Sequence, residues 1–116
     1  MTYKIKSTVI RNPAGKVKYK LAANEQTRLY HIGTWLDATE DELNEVMEVK
    51  YRLHETFSRR DRSSRNRAND FSITYWAWGA FDIEVELVLR DGTKKSFAQK
   101  LEIELPYQDA EYEQVS

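Results

Sequence analysis

The fold class is decided by one stretch of the chain, FDIEVELVLRDG at residues 81–92. Its apolar side chains alternate with acidic ones, which is the pattern of a β-strand with one buried and one exposed face. Asp91-Gly92 is a strong hairpin signal, because Gly readily adopts the positive φ that tight turns require. A return strand with apolar residues follows over residues 97–105, and Pro106 ends it. The stretch therefore predicts an antiparallel hairpin.

An extra N-terminal hairpin is predicted within residues 1–27. Residues 3–10 and 16–21 alternate apolar side chains with polar or basic ones. Between them lies the sequence NPAG, in which proline presets φ and glycine allows a turn. Lysines on the exposed face of residues 16–21 place that strand near a sheet edge.

The remaining strands complete a sandwich. Residues 28–36 carry bulky side chains at both parities, which predicts a central strand covered on both faces. Residues 49–55 and 71–77 alternate again, so the chain is expected to be all-β, an antiparallel sandwich of about seven to eight strands. The residues predicted to lie inside are Tyr51, Leu53, Phe81, Ile83, Val85 and Leu101, with Trp35 also assigned to the core and Trp78 partly exposed near one end.

One segment departs from the strand period. Thr39 followed by Glu42 is a capping-box pattern, and acidic residues suit the first turn of a helix. Leu43, Val46 and Met47 follow at helical spacing. We therefore predict one short helical turn that is docked by these three side chains.

Length and composition limit the class of protein. The chain has 116 residues, which suits a single domain over residues 1–116, with residues 107–116 expected as an acidic tail. The net charge of −1 argues against a protein built to coat nucleic acid. Cysteine is absent, which excludes disulfides and thiolate metal sites. No apolar run resembles a signal peptide or a membrane span, so we expect a cytoplasmic protein with no membrane partner.

Catalysis is not expected. His31 and His54 stand in no recognised nucleophile or metal spacing, and no Gly-rich phosphate loop is present. The i, i+2 carboxylate pairs fall on outward strand faces, where solvated carboxylates are ordinary; they are Glu84, Glu86, Glu102 and Glu104. We predict no enzyme activity, no metal and no cofactor.

An arginine-rich segment spans residues 58–70 and is expected to be a long polar loop. Its basic side chains favour either weak, salt-sensitive binding of polyanions or a charged loop that merely stays solvated. Nucleic acid is the less favoured partner, because the loop lacks aromatic residues that stack on bases. The arginines are Arg59, Arg60, Arg62, Arg65 and Arg67.

An aromatic cluster is the most informative feature. In the run YWAWGA at residues 75–80, consecutive side chains point to opposite faces, so the core cannot take every ring. The small residues Ala77, Gly79 and Ala80 leave backbone amides around Trp78 accessible. Exposed rings beside bare backbone favour a binding site.

Two segments together resemble a known family. Leu53-His54-Glu55-Thr56-Phe57 follows a strand, and Ala77-Trp78-Gly79-Ala80-Phe81 follows after a polar connection. This combination is similar to the YEATS domain pattern, in the shorter form of the prokaryotic YEATS-like modules. The resemblance covers residues 30–105 and implies an immunoglobulin-like β-sandwich.

The resemblance also implies a ligand and roles for individual residues. YEATS domains of eukaryotes read acylated lysine, so Phe57 and Trp78 would sandwich a flat acyl group. Thr56 would hydrogen-bond the acyl amide, the amides of Trp78 and Gly79 would bind its carbonyl, and His54 would line the slot. The complete predicted set is His54, Thr56, Phe57, Ala77, Trp78, Gly79 and Ala80.

Two functions remain open on the sequence. The first is a non-enzymatic module that binds a protein or peptide through an acylated lysine or a similar flat group. The second is an interaction scaffold or adaptor whose slot is degenerate. For His54 a structural role is also open, as a surface or half-buried strand residue that is hydrogen-bonded to a neighbouring carbonyl.

Overall fold

The computed structural model describes residues 3–57, 59–101 and 103–115, which form nine strands in two sheets. The first sheet holds β1 (Lys4–Val9), β2 (Val17–Leu21), β3 (Arg28–Asp37), β6 (Ile73–Ala77) and β9 (Tyr112–Gln114). The second holds β4 (Val46–Arg52), β5 (Asp61–Ser64), β7 (Asp82–Leu89) and β8 (Lys94–Lys100). Side chains from both sheets form one core, so the predicted immunoglobulin-like sandwich is confirmed.

The stretch at residues 81–92 forms the predicted hairpin. Strand β7 pairs antiparallel with β8, with Val85 opposite Phe97. Gly92 turns the chain at φ 89°, in the left-handed region that glycine tolerates. The return strand ends at Lys100, earlier than predicted. Leu101 is still buried, and its N–H donates to the carbonyl of Phe81 at 2.9 Å.

The predicted interior is confirmed, with one exception. Tyr51, Leu53, Phe81, Ile83, Val85 and Leu101 are all buried. Trp78 is 39% exposed, as expected of a ring left outside the core. Trp35 is the exception: it is only half-buried and lies opposite Lys6, because Ile32, Thr34 and Leu36 take the buried face of β3.

The N-terminal strands do not form the predicted hairpin. Ile32 of β3 pairs with Val9 on one side and Tyr75 on the other, while Tyr30 pairs with Tyr19 and with Ala77. Because β6 takes one side of β3, β1 and β2 lie end to end along the other side. Only an isolated bridge joins residue 11 to residue 17. The ten-residue β3 is long enough to pair with both strands along one side. β1 and β2 therefore each pair with β3 and not with each other.

The helical turn is α1 (Glu40–Asn44), and its capping box is confirmed. The hydroxyl oxygen of Thr39 accepts from the N–H of Glu42 at 3.2 Å, and the Glu42 carboxylate accepts from the N–H of Thr39 at 3.1 Å. Only Leu43 packs from the helix into the core. Val46 already begins β4, and Met47 is exposed where the register of β4 shifts between Val46 and Glu48. No helix within the described part of the chain is long and apolar enough to cross a membrane.

The predicted polar loop after Phe57 contains regular structure. Residues 61–64 form β5, which pairs antiparallel with β4, and residues 67–69 form a 3₁₀ turn. Polar residues suit this edge strand, because backbone pairing and not apolar burial holds it in place.

The C-terminal segment is also partly ordered. Residues 112–114, predicted to belong to an acidic tail, form β9 and pair in parallel with β2. Tyr112 fixes this strand by donating its hydroxyl to the carbonyl of Pro106 and by packing its ring against Tyr19. The anchoring is a tertiary effect that the acidic composition of the segment does not reveal.

Phe71 connects the two sheets. Its side chain is fully buried, and its φ of 57° lies in the left-handed region. The hydroxyl of Tyr51 in β4 donates to the Phe71 carbonyl at 2.7 Å. The neighbouring carbonyl of Asp70 accepts from Leu36 of β3 at 3.0 Å. Burial raises the pKa of Tyr51 far above its ordinary value, so this donor stays protonated.

Candidate functional site

A tight turn follows β4 and positions the hydroxyl of Thr56. The N–H of Phe57 donates to the carbonyl of His54 at 3.0 Å, which closes the turn. The backbone N–H of Thr56 lies 3.2 Å from Nδ1 of His54, and the Thr56 hydroxyl lies 3.0 Å from the same atom. Because a backbone N–H can only donate, Nδ1 is the acceptor. The Thr56 hydroxyl therefore donates to Nδ1 and keeps its own lone pairs for another partner.

An aromatic cluster stands beside this turn. The half-buried ring of Phe57 lies 5.8 Å from Tyr75 and 5.6 Å from Phe81, both of which are buried. Trp78 is the outermost ring, with His54 against it edge-on at 5.2 Å. The core thus fixes Phe57 firmly, while Trp78 is held mainly by ring contacts at the surface.

The rings of Phe57 and Trp78 contact each other. Their centroids are 5.9 Å apart and their planes are inclined by 30°. A flat group between two parallel rings needs a separation of roughly 7 Å, twice the ordinary carbon–carbon contact distance. The structure therefore brings the two predicted rings together without an open gap between them.

The open space lies next to these rings, in a cleft of about 550 Å³. It is lined by Ala22, Asn24, Thr27, Leu29, Thr56, Phe57, Trp76 and Trp78. Three of the predicted site residues therefore line it. The other predicted residues do not line it: Ala77 is fully buried, His54 lies behind Trp78, and Gly79 and Ala80 follow Trp78 in the chain.

Sequence reasoning missed one wall of this cleft. Ala22, Asn24 and Thr27 come from the β2–β3 connection, and Leu29 is the second residue of β3. Nothing in the pattern of these residues marks a site, since they are small or polar residues of an ordinary turn. Trp76 alone carried a signal, because it stands in the aromatic run at residues 75–80.

The backbone after β6 offers unused hydrogen-bond donors. Within the described residues, the N–H groups of Trp78, Gly79 and Ala80 take part in no backbone hydrogen bond. The fold does not require glycine at 79, since its φ is not in the left-handed region and an added Cβ would meet no described atom within 4 Å. A small residue here leaves the adjacent amides open to a ligand carbonyl.

The outer face of the first sheet continues from the cleft. Trp76 stacks on His31 of β3, with centroids 4.7 Å apart and planes inclined by 12°. The ammonium of Lys20 lies 4.7 Å from the centre of the Trp76 ring. Burial, and then the positive charges of Lys18 and Lys20, lower the pKa of His31, so its ring is neutral at neutral pH.

Acidification is expected to destabilise the wild-type protein more than a His31→Gln variant. The folded-state pKa of His31 lies below the ordinary 6.5, so the unfolded chain takes up a proton first as the pH falls through that value. Above it, both states are neutral at this position and the two proteins should respond alike. Urea unfolding at about pH 7.5 and about pH 5.5 measures the difference, and parallel losses in both proteins would contradict the expectation.

The arginine cluster divides into paired and unpaired members. Arg65 bonds the Glu48 carboxylate at 3.2 Å, and Arg67 bonds Glu40 at 2.8 Å and Asp70 at 3.4 Å. The other three, Arg59, Arg60 and Arg62, make no ion pair with any carboxylate in the described residues. The unpaired charges are those nearest to Phe57 in the chain.

The histidines and carboxylates that the structure describes form no arrangement suited to a metal ion. In residues 3–57, 59–101 and 103–115, no group of three or more potential ligands among His, Asp and Glu comes together. Glu84 is exposed on β7, and Glu86 pairs with Lys50 at 3.6 Å. Glu102, the partner of Glu104 in the second carboxylate pair, lies outside the described residues.

Comparison with known proteins finds a family whose sequence model matches this chain. The sequence model of the prokaryotic YEATS domain matches residues 30–102. No curated protein matches the chain. Solved structures match across most of it: a Yaf9 YEATS domain recognising an H3K122suc peptide has a TM-score of 0.59 and 18% identity, with coverage of 87% of this chain and 70% of that one.

Two further structures agree with this result. A Yaf9 YEATS domain bound to H3K27ac has a TM-score of 0.59 and 18% identity, covering 90% of this chain and 71% of its own. The yeast AF-9 homologue Yaf9 has a TM-score of 0.60 and 17% identity, covering 89% and 66%. At these identities the likeness shows a shared fold.

Proposed function

The chain belongs to the prokaryotic YEATS domain family, and on that premise we propose that it is a non-enzymatic binding module for an acylated lysine on a protein partner. The observation that carries the proposal is one cleft in which Thr56, Phe57 and Trp78 meet. Structures of the same fold are described as bound to H3K27ac and as recognising an H3K122suc peptide, which supports a modified lysine as the ligand class.

The cleft offers each part of an acyl-lysine a partner. The N–H of the acyl amide donates to the hydroxyl oxygen of Thr56. The proton of that hydroxyl is donated to Nδ1 of His54. The amide carbonyl accepts from the unused N–H groups of Trp78 and Gly79. The acyl chain lies against the ring of Phe57. An unmodified lysine presents a hydrated ammonium in place of the flat amide and gains none of these contacts.

Binding requires Trp78 to move. The present separation of 5.9 Å from Phe57 must grow by about an ångström before a flat group fits between the rings. Trp78 is suited to this movement, because it is the most exposed ring of the cluster and sits beside Gly79 in a connection between strands. Phe57 stays fixed against Tyr75 and Phe81.

A scaffold or adaptor role is the second candidate, and the contact between Phe57 and Trp78 favours it. If the rings never separate, the cleft is only a surface depression and the partner is held elsewhere, for example at β8, the end strand of the second sheet. Calorimetry with one peptide in acetylated, crotonylated and unmodified forms tests the choice. The reader predicts binding that depends on acylation, and the scaffold predicts equal affinity for all three peptides.

Thr56→Val is expected to weaken binding of an acylated peptide by about 1 kcal/mol, or roughly fivefold. Valine keeps the shape of threonine and deletes the hydroxyl that accepts the acyl amide. The matched control is Thr74→Val, the same change at an exposed position of β6. The assigned role is wrong if Thr56→Val and Thr74→Val bind the acylated peptide equally well.

A further inference from the structure

The cleft is bordered by cations on one side. Strand β2 turns Val17 into the core and places Lys18 and Lys20 on the outer face of the first sheet. The Lys20 ammonium is held 4.7 Å from the centre of Trp76, a ring that itself lines the cleft. Neither lysine makes an ion pair with a carboxylate of the described residues. Because Glu113 of β9 lies opposite Lys18, the positive charge held at the rim is chiefly the Lys20 ammonium beside Trp76.

His31 faces the same two lysines. It lies under Trp76, and burial, and then the charges of Lys18 and Lys20, lower its pKa. The ring is neutral and does not itself add to the charge of the rim. The two lysines therefore act on the space around Trp76, which lines the cleft.

Arginines also follow Phe57, which forms another wall of the cleft, in the chain. Arg59 follows Phe57 by two positions, and the guanidinium groups of Arg59, Arg60 and Arg62 pair with no described carboxylate. The acids closest in the chain to the cleft walls are Glu25 and Glu55, each exposed. A further acid, Glu113, lies opposite Lys18. Lys20, Arg59, Arg60 and Arg62 thus remain as unpaired cations beside or following the cleft walls, although the whole chain has a net charge of −1.

We infer that the acylated lysine recognised by this cleft lies in an acidic segment, with aspartate or glutamate flanking the modified residue. This inference rests on the proposed function and names its substrate class. Acidic flanks on either side would meet Lys18 and Lys20 at one rim and Arg59 at the other. A basic flank would bring like charges together, which costs affinity and slows association.

A nucleic acid fits the same rim less well. Sequence-independent binding of single strands uses aromatic faces on which bases stack. Trp76, the ring nearest to the lysines, already stacks on His31 and lies against Lys20. The exposed ring of the cleft, Trp78, is in contact with Phe57 and His54. An acidic peptide needs only the unpaired charges and no free ring face.

The test uses three peptides of equal length with one central crotonyl-lysine and acidic, neutral or basic flanks. At low salt, the acidic peptide is expected to bind about threefold to tenfold more tightly than the neutral one, and the basic peptide more weakly than both. At about 0.5 M salt the three affinities should converge, because the rim charges are exposed and screened. Unmodified versions of all three peptides are measured in parallel.

Charge-matched variants assign the effect to the rim. The double change Lys18→Ser and Lys20→Ser should reduce the preference for acidic flanks toward unity. The same loss of charge at Lys94 and Lys100 of β8, on the other sheet, should leave the preference unchanged. An equal effect of both double variants would overturn the inference, since the preference for acidic flanks would then depend on the net charge of the protein and not on the lysines at the rim.

The outcomes separate this inference from the proposed function. Acylation-dependent binding that ignores the flanks, or prefers basic ones, overturns the inference and leaves the reader function standing. Acidic peptides that bind equally with and without the acyl group overturn the reader function and the inference with it. A single-stranded oligonucleotide that binds more tightly than the acidic acylated peptide and depends on Lys18 and Lys20 also overturns it.

Discussion

Replacing Phe71 with alanine is expected to lower the free energy of unfolding by about 3–5 kcal/mol, the usual cost of deleting a buried aromatic ring. The side chain is completely buried, and its backbone joins the sheets through the Tyr51 hydroxyl at 2.7 Å. Domains of this size are typically stable by about 5–15 kcal/mol, so the variant should be close to unfolding at physiological temperature. Urea denaturation followed by circular dichroism measures the loss.

Two controls define the cause of this loss. Tyr107→Ala, which removes a fully exposed ring, should change stability by less than about 0.5 kcal/mol. Phe71→Gly should be no less stable than Phe71→Ala, because the φ of 57° penalises every residue with a Cβ. A cost below about 1 kcal/mol for Phe71→Ala would contradict the assignment of this side chain to the core.

Trp78→Ala is expected to weaken binding of an acylated peptide about fivefold to a hundredfold, corresponding to roughly 1–3 kcal/mol of lost stacking and burial. The fold should survive, because the ring is 39% exposed and only one of its ring contacts, with Phe81, is to a buried residue. Calorimetry gives the affinity, and circular dichroism confirms the fold.

The matched control for that variant is Trp35→Ala. Trp35 is half-buried on the outer face of the same sheet, opposite Lys6 and away from the residues that line the cleft. It should lose stability without losing affinity for the peptide. If both tryptophan variants bind acylated peptide as tightly as the wild-type protein, Trp78 is no part of a ligand site.

Side-chain periodicity made the core of this fold predictable. The alternation in β7 and the Asp91-Gly92 turn specify a hairpin, and the parity of Tyr51 and Leu53 specifies which face of the chain is buried. The capping box of α1 was equally visible, since Thr39 and Glu42 satisfy each other within four residues. In each case the residues that favour the local structure are also the residues that the folded protein needs at those positions.

Elements held by backbone pairing were not predictable in the same way. Strand β5 is polar on both faces, and β9 is short and acidic, so neither carries an apolar period. The placement of β1 and β2 end to end depends on the length of β3, a property of the whole sheet. Side-chain periodicity predicts which residues are buried. These strands, in contrast, are fixed largely by hydrogen bonds to a neighbouring strand.

The structure brings three residues of the predicted site together, whereas the shape of the cleft was not predictable. Thr56, Phe57 and Trp78 were predicted together and do line one cleft. The wall formed by Ala22, Asn24 and Thr27 arises from a connection that folds over the sheet end, and its residues carry no distinguishing chemistry. The separation of Phe57 from Trp78 depends on side-chain rotamers, which residue spacing does not specify.

The most direct test of the reader function is a titration of the isotope-labelled protein, followed by amide chemical shifts, with crotonylated and unmodified forms of one peptide that has uncharged flanks. The reader function predicts shifts at Thr56, Phe57, Trp78 and Gly79 with the crotonylated peptide, and far smaller shifts at these positions with the unmodified one. Shifts absent from these residues at millimolar concentrations of the crotonylated peptide would contradict it.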